Sequence, residues 1–107
     1  MNEYSILITS DAKADLQDLR DYIAYSLPAP DTARQFLHNI KESIMSLSHM
    51  PSRYPLVSEE PWHSRGIRKL NYKNFYIYYR IDNSNSQIYI LNVIFNRINA
   101  NLKVSHF

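Results

Sequence analysis

The stretch Phe75-Tyr76-Ile77-Tyr78-Tyr79-Arg80-Ile81-Asp82 carries the strongest strand pattern in the chain. Six of its eight residues are Tyr, Phe or Ile, which fit a pleated, half-buried surface. Because successive side chains of a strand point to opposite faces, the stretch predicts two different surfaces. The core face would hold Phe75, Ile77, Tyr79 and Ile81, and the other face Tyr76, Tyr78, Arg80 and Asp82.

Length and composition indicate an ordinary globular domain. The chain has 107 residues, 45% of them hydrophobic and 21% charged, which predicts one domain over 1–107, with 98–107 as a tail of undefined form. Gly66 is the only glycine, so neither a P-loop nor a GxGxxG dinucleotide loop can form. The absence of cysteine excludes disulfides, Cys-zinc sites and thiol nucleophiles.

Charge is distributed unevenly between the two halves. Residues 1–61 hold five basic and nine acidic side chains, a net charge of −4, whereas residues 62–107 hold seven basic and one acidic, a net charge of +6. The second half also contains nine of the fourteen aromatic residues. This combination fits contact with nucleic acid or an acidic protein. Solvated strands that happen to carry Tyr, Lys and Arg explain it equally well.

The N-terminal half predicts a strand and a helical hairpin. Tyr4 to Thr9 forms the strand, and Thr9-Ser10-Asp11 supplies a helix N-cap. Helix 1 ends by Leu27 because Pro28 disfavours a helical residue before it, and Pro51 closes helix 2. The apolar stripes are Ala12, Leu16, Leu19, Ile23 and Leu27, then Ala33, Phe36, Leu37, Ile40, Ile44 and Leu47. The helix 1 acids, Asp15, Asp18 and Asp21, fall off the stripe and are expected to face solvent.

Three further strands are predicted after an ordered surface loop. The loop spans Met50 to Gly66, and the strands span Ile67 to Tyr72, Phe75 to Asp82 and Gln87 to Asn96. The last strand is apolar on both faces and is therefore expected to be central. The fold class is α+β, in the order β-α-α-β-β-β. A helical hairpin packs on one face of an antiparallel-rich sheet and leaves the other face free.

Basic and aromatic residues of the sheet are the candidate binding residues. Arg68, Arg80 and Arg97 lie on or at the end of three strands and are expected to gather near one sheet surface, with Lys69 beside them. Arg forks match phosphate or carboxylate geometry and stack on rings such as Tyr76 and Tyr78. Alternatively, the arginines pair with Asp82, Glu59 or Glu60 and only solubilise the sheet.

Candidates for proton transfer are few. A nuclease needs a base, an acid and cations around the phosphorane. His106, His63, Glu60 and Tyr76 are the candidates, and none has a spacing that identifies it. The four histidines lack metal-ligand spacing, so we expect no metal and no cofactor. The N-terminal residues lack a signal-peptide pattern and no apolar run could span a bilayer, so we expect a cytoplasmic location without membrane contact.

A series of weak motifs resembles one known family. The series consists of Y-S-I-L-I-T-S-D-A-K-A-D-L, P-D-T-A-R-Q-F, L-S-H-M-P-S-R-Y-P-L-V, R-G-I-R-K-L-N-Y-K-N-F-Y-I-Y-Y-R-I-D and I-Y-I-L-N-V-I-F-N-R. From Tyr4 to Arg97 the chain resembles the RelE/ParE superfamily of toxins from type II toxin–antitoxin modules. No single motif is diagnostic, but their order agrees with the β-α-α-β-β-β pattern.

The resemblance implies a bacterial toxin neutralised by a cognate antitoxin. RelE-like members cleave mRNA in the ribosomal A site without a metal, and ParE-like members poison DNA gyrase. RelE-like nucleases typically carry a cation early in the third strand, where this chain has Tyr76. They often carry Tyr or His soon after an arginine resembling Arg97, and here only His106 is available. These departures favour the ParE-like branch.

Three functions therefore stay open. The chain is predicted to be a gyrase-directed toxin; the alternatives are a ribosome-dependent endoribonuclease using Arg97, His106 and Tyr76, and a non-toxic module that binds only an antitoxin. Arg68, Lys69, Tyr78 and Arg80 are the predicted contacts to the target or to nucleic acid. A toxin–antitoxin hetero-oligomer is expected. The antitoxin would use a helix or an added strand at the sheet edge, or the groove of the hairpin.

Overall fold

The structure, a computed structural model, describes residues 3–26, 30–73 and 75–95. Four strands and two helices form the framework, and two short 3₁₀ turns follow the second helix. In chain order the elements are β1 (Ser5–Ile8), α1 (Ser10–Ser26), α2 (Pro30–Met45), the 3₁₀ turns Ser46–Ser48 and Pro51–Arg53, β2 (Ile67–Tyr72), β3 (Phe75–Asp82) and β4 (Gln87–Phe95).

The four strands form one mixed sheet in the order β1-β4-β3-β2. β1 runs parallel to β4, while β4, β3 and β2 pair antiparallel. β4 therefore has a neighbour on both sides, as its apolar pattern predicts. The α+β fold class and the β-α-α-β-β-β order are confirmed.

One face of the sheet packs against the helical hairpin. On β3 the residues Phe75, Ile77 and Tyr79 are buried as predicted, and Ile81 is half-buried. The apolar stripes cover them, and the buried residues of those stripes are Ala12, Leu19, Ile23, Ile40, Ile44 and, just after α2, Leu47. Tyr79 is fully buried and its hydroxyl donates to the carbonyl of Pro51. The core thus joins both helices, β3 and the segment after α2.

The start of α1 is fixed against β4. The Thr9 hydroxyl accepts from the N–H of Ala12 at 3.3 Å, which caps the helix, and donates to the Ile90 carbonyl at 2.7 Å. One turn later the Asp15 carboxylate accepts from the main-chain N–H of Val93 and the side chain of Asn92. The prediction that Asp15 faces solvent is therefore wrong, because α1 covers the edge of β4 beyond the end of β1.

A β-bulge changes which residues of β4 face the hairpin. Tyr78 pairs with Asn92 and the adjacent Tyr79 pairs with Ile90, so Leu91 has no partner on β3. The insertion shifts the alternation by one residue. Ile90 before the bulge and Val93 after it are consequently both buried.

The other face of the sheet is only partly free. The Val57 N–H donates to the Ile67 carbonyl at 2.8 Å and the Lys69 N–H donates to the Pro55 carbonyl at 3.1 Å. Residues 55–57 thus pair along the outer edge of β2, and the turn that follows up to Gly66 folds over the beginning of the strand, leaving Ile67 only 6% exposed. The expectation of an entirely free face needs this correction. The pairing also protects an edge that would otherwise be open to another strand.

Candidate binding surface on the sheet

Cations and tyrosines share the side of the sheet that faces away from the helices. We call this side the open sheet face and define it by Lys69, Tyr76, Tyr78, Arg80 and Tyr89. Strand register places Lys69 opposite Tyr78, and Arg80 opposite Tyr89. All five side chains are half-buried. The alternation along β3 therefore predicts the composition of this surface correctly.

Each of the two cations lies over a tyrosine ring. The Lys69 Nζ lies 4.7 Å from the centre of the Tyr76 ring, and the Arg80 Cζ lies 4.8 Å from that of Tyr89. Tyr76 meets Tyr78 edge to face, with 6.4 Å between ring centres. Such stacking holds the cationic groups at fixed positions. The result is an ordered surface of alternating positive charge and aromatic rings.

Ionisation of the surrounding groups follows from burial and hydrogen bonding. Burial raises the pKa of the Tyr78 phenol, with further increases from Tyr76 and Glu59, so this hydroxyl is a donor at neutral pH. The hydrogen bond from the Asn85 side chain lowers the pKa of Asp82, and the Arg80 charge adds to this effect. Asp82 therefore stays ionised beside Arg80.

An apolar cavity of about 410 Å³ adjoins the open sheet face. Its apolar lining residues are Val57 and Trp62 from the loop and Ile67, Leu91 and Ile94 from the strands. Glu59, Lys69, Tyr78 and Asn92 also line it. Trp62 is 49% exposed and Ile94 is 44% exposed. Sequence reasoning missed this cavity. The only tryptophan of the chain, placed in a proline-containing loop, was the available indication.

Arg68 lies on the opposite side of the sheet. It pairs in register with Tyr79, and its guanidinium donates to the carbonyls of Tyr54 at 2.6 Å and Ser52 at 3.3 Å. The expectation that Arg68 and Arg80 gather on one surface is wrong, because the antiparallel register places them on opposite faces. Arg68 fastens the segment after α2 to the sheet.

Two predicted proton-transfer residues make local contacts in the loop. The Ser64 hydroxyl and main-chain N–H donate to the Glu60 carboxylate at 2.8 and 3.1 Å, which lowers the pKa of Glu60. The His63 Nδ1 lies 2.9 Å from the Val57 carbonyl. These bonds stabilise the turn between Glu59 and Gly66.

Sequence and structure comparisons identify the family. The model of the ParE toxin of the type II toxin–antitoxin system parDE matches residues 6–98. The chain belongs to the ParE toxin family. The predicted membership of the RelE/ParE superfamily, on its ParE-like branch, is thereby confirmed. The search of curated proteins gave no match.

Two solved structures have the fold of this ParE-family toxin. The toxin–antitoxin complex RelBE2 from Mycobacterium tuberculosis matches with a TM-score of 0.66 and 24% identity, over 89% of this chain and 93% of that chain. The chromosomal ParDE system of P. aeruginosa matches with a TM-score of 0.68 and 24% identity, over 87% of this chain and 96% of that chain. At this level of identity the two structures establish a shared architecture.

Some predicted features of the ParE-family chain fall outside what the structure describes. Arg97 and His106 lie outside the described residues, as does the tail over 98–107. Within the described ranges, no three His, Cys, Asp or Glu side chains cluster as metal ligands would. No helix in those ranges has the length and hydropathy that a membrane span requires.

Proposed function

We propose that this ParE-family toxin inhibits growth by binding DNA gyrase through the open sheet face and the adjoining Trp62 cavity. The observation that carries the proposal is the position of Lys69 and Arg80, each over a tyrosine ring, beside an apolar cavity. Aromatic and Arg side chains around a desolvated pocket are typical of the energetic centre of a protein–protein interface.

The hydrogen bonds of the loop beside the open sheet face favour a protein-binding function over RNA cleavage. Glu60 accepts two hydrogen bonds from Ser64, and its lowered pKa makes it a poor general acid. The raised pKa of Tyr78 makes that phenol a poor base. Of the residues described on and beside this surface, Glu60 and Tyr78 are therefore poorly suited to proton transfer.

A ribosome-dependent endoribonuclease is the second candidate. Tyrosine rings beside Lys69 and Arg80 resemble the stacking platforms of proteins that bind single-stranded nucleic acid. In that case Arg97, His106 and Tyr76 would carry out a metal-independent cleavage. The third candidate is a module without toxicity that binds only an antitoxin.

We also propose a cognate antitoxin as partner, with which the toxin forms a hetero-oligomer in the cytoplasm. Support comes from the two structures of the same fold, one a toxin–antitoxin complex and the other a ParDE toxin–antitoxin system. Antitoxin binding would hold the toxin inactive until the antitoxin is lost.

Induced expression in bacterial cells separates the three candidates. Gyrase poisoning is expected to induce the DNA-damage response, and purified toxin should trap gyrase cleavage complexes on supercoiled plasmid. Cleavage within translated mRNA, without trapped gyrase, would overturn the proposal in favour of the nuclease. Normal growth and neither effect would favour the antitoxin-binding module.

Two double variants test whether gyrase trapping depends on the open sheet face. Lys69→Ala with Arg80→Ala should raise the toxin concentration needed for gyrase trapping at least about tenfold, the expected loss for two central interface cations. Lys13→Ala with Lys41→Ala removes the same charge from exposed positions on the two helices, away from the open sheet face, and should leave trapping unchanged. Equal losses in both variants would mean that net charge, and not this surface, matters. For the nuclease alternative, Arg97→Ala with His106→Ala should abolish cutting.

A further inference from the structure

A second charged surface lies on the helical hairpin. α1 and α2 enclose a groove of about 870 Å³ that is lined by residues of both helices. Lys13 and Arg20 on α1, and Arg34 and Lys41 on α2, are among the lining residues. The members of each pair are seven residues apart, or two helical turns, so each pair lies along one side of its helix. We call this surface the hairpin groove.

The hairpin groove is strongly positive although the half of the chain that contains it is acidic. Of the lining residues within the described ranges, Asp31 is the one acid, and it pairs with Arg34. The four acids of α1 lie elsewhere: Asp15 bonds to β4, and Asp11, Asp18 and Asp21 are exposed and do not line the groove. The four Lys and Arg side chains against one carboxylate leave a net charge of +3.

The floor of the hairpin groove is apolar. Leu16 and Leu37 are half-buried, pack against the core and line the groove between the two rows of cations. Among the described lining residues the only aromatic ring is the imidazole of His38, and Phe, Tyr and Trp are absent, so the groove lacks the series of stacking rings that single-stranded nucleic acid uses. An apolar floor between positive rims complements a segment that is apolar along one side and acidic on both flanks.

We propose that the hairpin groove binds an acidic amphipathic helix of a partner protein. The apolar stripe of that helix contacts Leu16 and Leu37, while its Asp and Glu residues lie against Lys13 and Arg20 on one side and Lys41 on the other. Helix-in-groove recognition uses anchors at positions i, i+3, i+4 and i+7, which span about 10 Å. The two cations of each row are separated by the same seven positions. The site lies on the opposite side of the molecule from the open sheet face and is independent of the target bound there.

Designed peptides test the proposal on the purified full chain. The first probe is a fluorescent 18-residue helical peptide with a Leu stripe flanked by Glu. A scrambled peptide of the same composition lacks the stripe, and an 18-base-pair DNA duplex tests nucleic acid. Fluorescence anisotropy at low and at physiological salt should show binding of the patterned peptide, with affinity falling as salt screens the charges.

Charge-reversal variants test whether the patterned peptide binds in the hairpin groove. Lys13→Glu with Lys41→Glu should weaken binding of the patterned peptide at least about tenfold. The matched control, Arg65→Glu with Lys73→Glu, changes the net charge equally outside the groove and should alter the affinity less than about threefold. If thermal melting shows that the reversed groove variant is unfolded, Lys13→Gln with Lys41→Gln replaces it.

Four outcomes would overturn the proposal. They are no binding of the patterned peptide, equal binding of the scrambled peptide, equal losses in both double variants, or displacement of the peptide by the DNA duplex at lower concentration. The test does not depend on toxicity, so it can fail while the gyrase proposal stands, or the reverse.

Discussion

The carboxylate of Asp15 on α1 accepts a hydrogen bond from the main-chain N–H of Val93 on β4, with 2.9 Å between oxygen and nitrogen. The same oxygen accepts from the Asn92 side chain at 3.2 Å. β1 ends at Ile8, opposite Ile90, so the next part of the β4 edge lacks a strand partner. Asp15 supplies the missing acceptor immediately after the bulge. Asp15 thus adds, one turn after the Thr9 cap, a second polar tie between α1 and β4.

Replacing Asp15 should therefore destabilise the fold. Asp15→Ala leaves the Val93 N–H without its acceptor in a partly buried position, which costs about 1–3 kcal/mol of unfolding free energy. Urea denaturation followed by circular dichroism measures the change. Asp18→Ala, on an exposed position of the same helix, serves as the control and should change the stability by less than about 0.5 kcal/mol. Equal effects of the two variants would contradict a specific role for Asp15.

The buried phenol of Tyr79 predicts a loss of stability at alkaline pH. Burial raises the pKa of Tyr79 from an ordinary value of 10.0 to about 12, and the hydroxyl donates to the Pro51 carbonyl. The folded state therefore retains this proton where the unfolded chain releases it. Its contribution is complete below about pH 10 and is lost as the pH rises towards 12, by about 2–3 kcal/mol in total.

The variant Tyr79→Phe tests that assignment. It cannot ionise, so its stability should fall less steeply between pH 10 and 12 than that of the unmodified chain. At neutral pH the variant should be about 1–2 kcal/mol less stable, because the Pro51 carbonyl loses its donor. Urea midpoints at pH 8, 10.5 and 11.5 give both quantities. Parallel pH profiles for the two proteins would show that other groups cause the alkaline loss.

The residue pattern within each segment predicts its secondary structure well, because the spacing of apolar residues shows which side chains of that segment are buried. The alternation from Phe75 to Asp82 gives the buried and open faces of β3, and Thr9 caps α1 as its sequence context indicates. Long-range relationships are different. The face occupied by Arg68 depends on register with Tyr79, and the bulge at Leu91 depends on the pairing of β4 with β3. Neither relationship is encoded within a single segment.

The same limit applies to the candidate surfaces. Tyr76, Tyr78 and Arg80 lie on one strand, so their common face follows from alternation alone. The Trp62 cavity forms only when the loop folds over β2, and the hairpin groove forms only where α1 and α2 lie side by side. Residues far apart in the sequence build both sites. Their composition is visible in the sequence, whereas their proximity is not.

Arg68 and Arg80 should have separable effects on stability and on activity. Arg68→Ala removes two hydrogen bonds to the carbonyls of Tyr54 and Ser52, and should cost about 1.5–3 kcal/mol of stability. Arg80→Ala removes a half-buried contact with the Tyr89 ring and should cost about 1 kcal/mol or less. Thermal melting and gyrase trapping, measured on both variants, distinguish them.

Arg68→Ala should lose more stability than Arg80→Ala, whereas Arg80→Ala should lose more gyrase-trapping activity. When both variants are assayed at a temperature where they are fully folded, Arg80→Ala is expected to lose more trapping activity than Arg68→Ala. If folded Arg68→Ala loses more activity than Arg80→Ala, Arg68 contacts the target, and its assignment as a purely structural residue is wrong.

Trp62 should be an energetic centre of target binding at the open sheet face. Its half-exposed ring borders an apolar cavity beside Lys69 and Tyr78, so a partner that fills the cavity would bury it completely. Trp62→Ala should therefore weaken gyrase binding by about 2 kcal/mol, close to thirtyfold in Kd. Biolayer interferometry with immobilised toxin measures this change. The matched control is Tyr25→Ala, an aromatic residue that is 92% exposed on α1 and should leave Kd unchanged. If Trp62→Ala binds gyrase as tightly as the unmodified chain while Tyr25→Ala does not, the target contacts the hairpin and not the sheet.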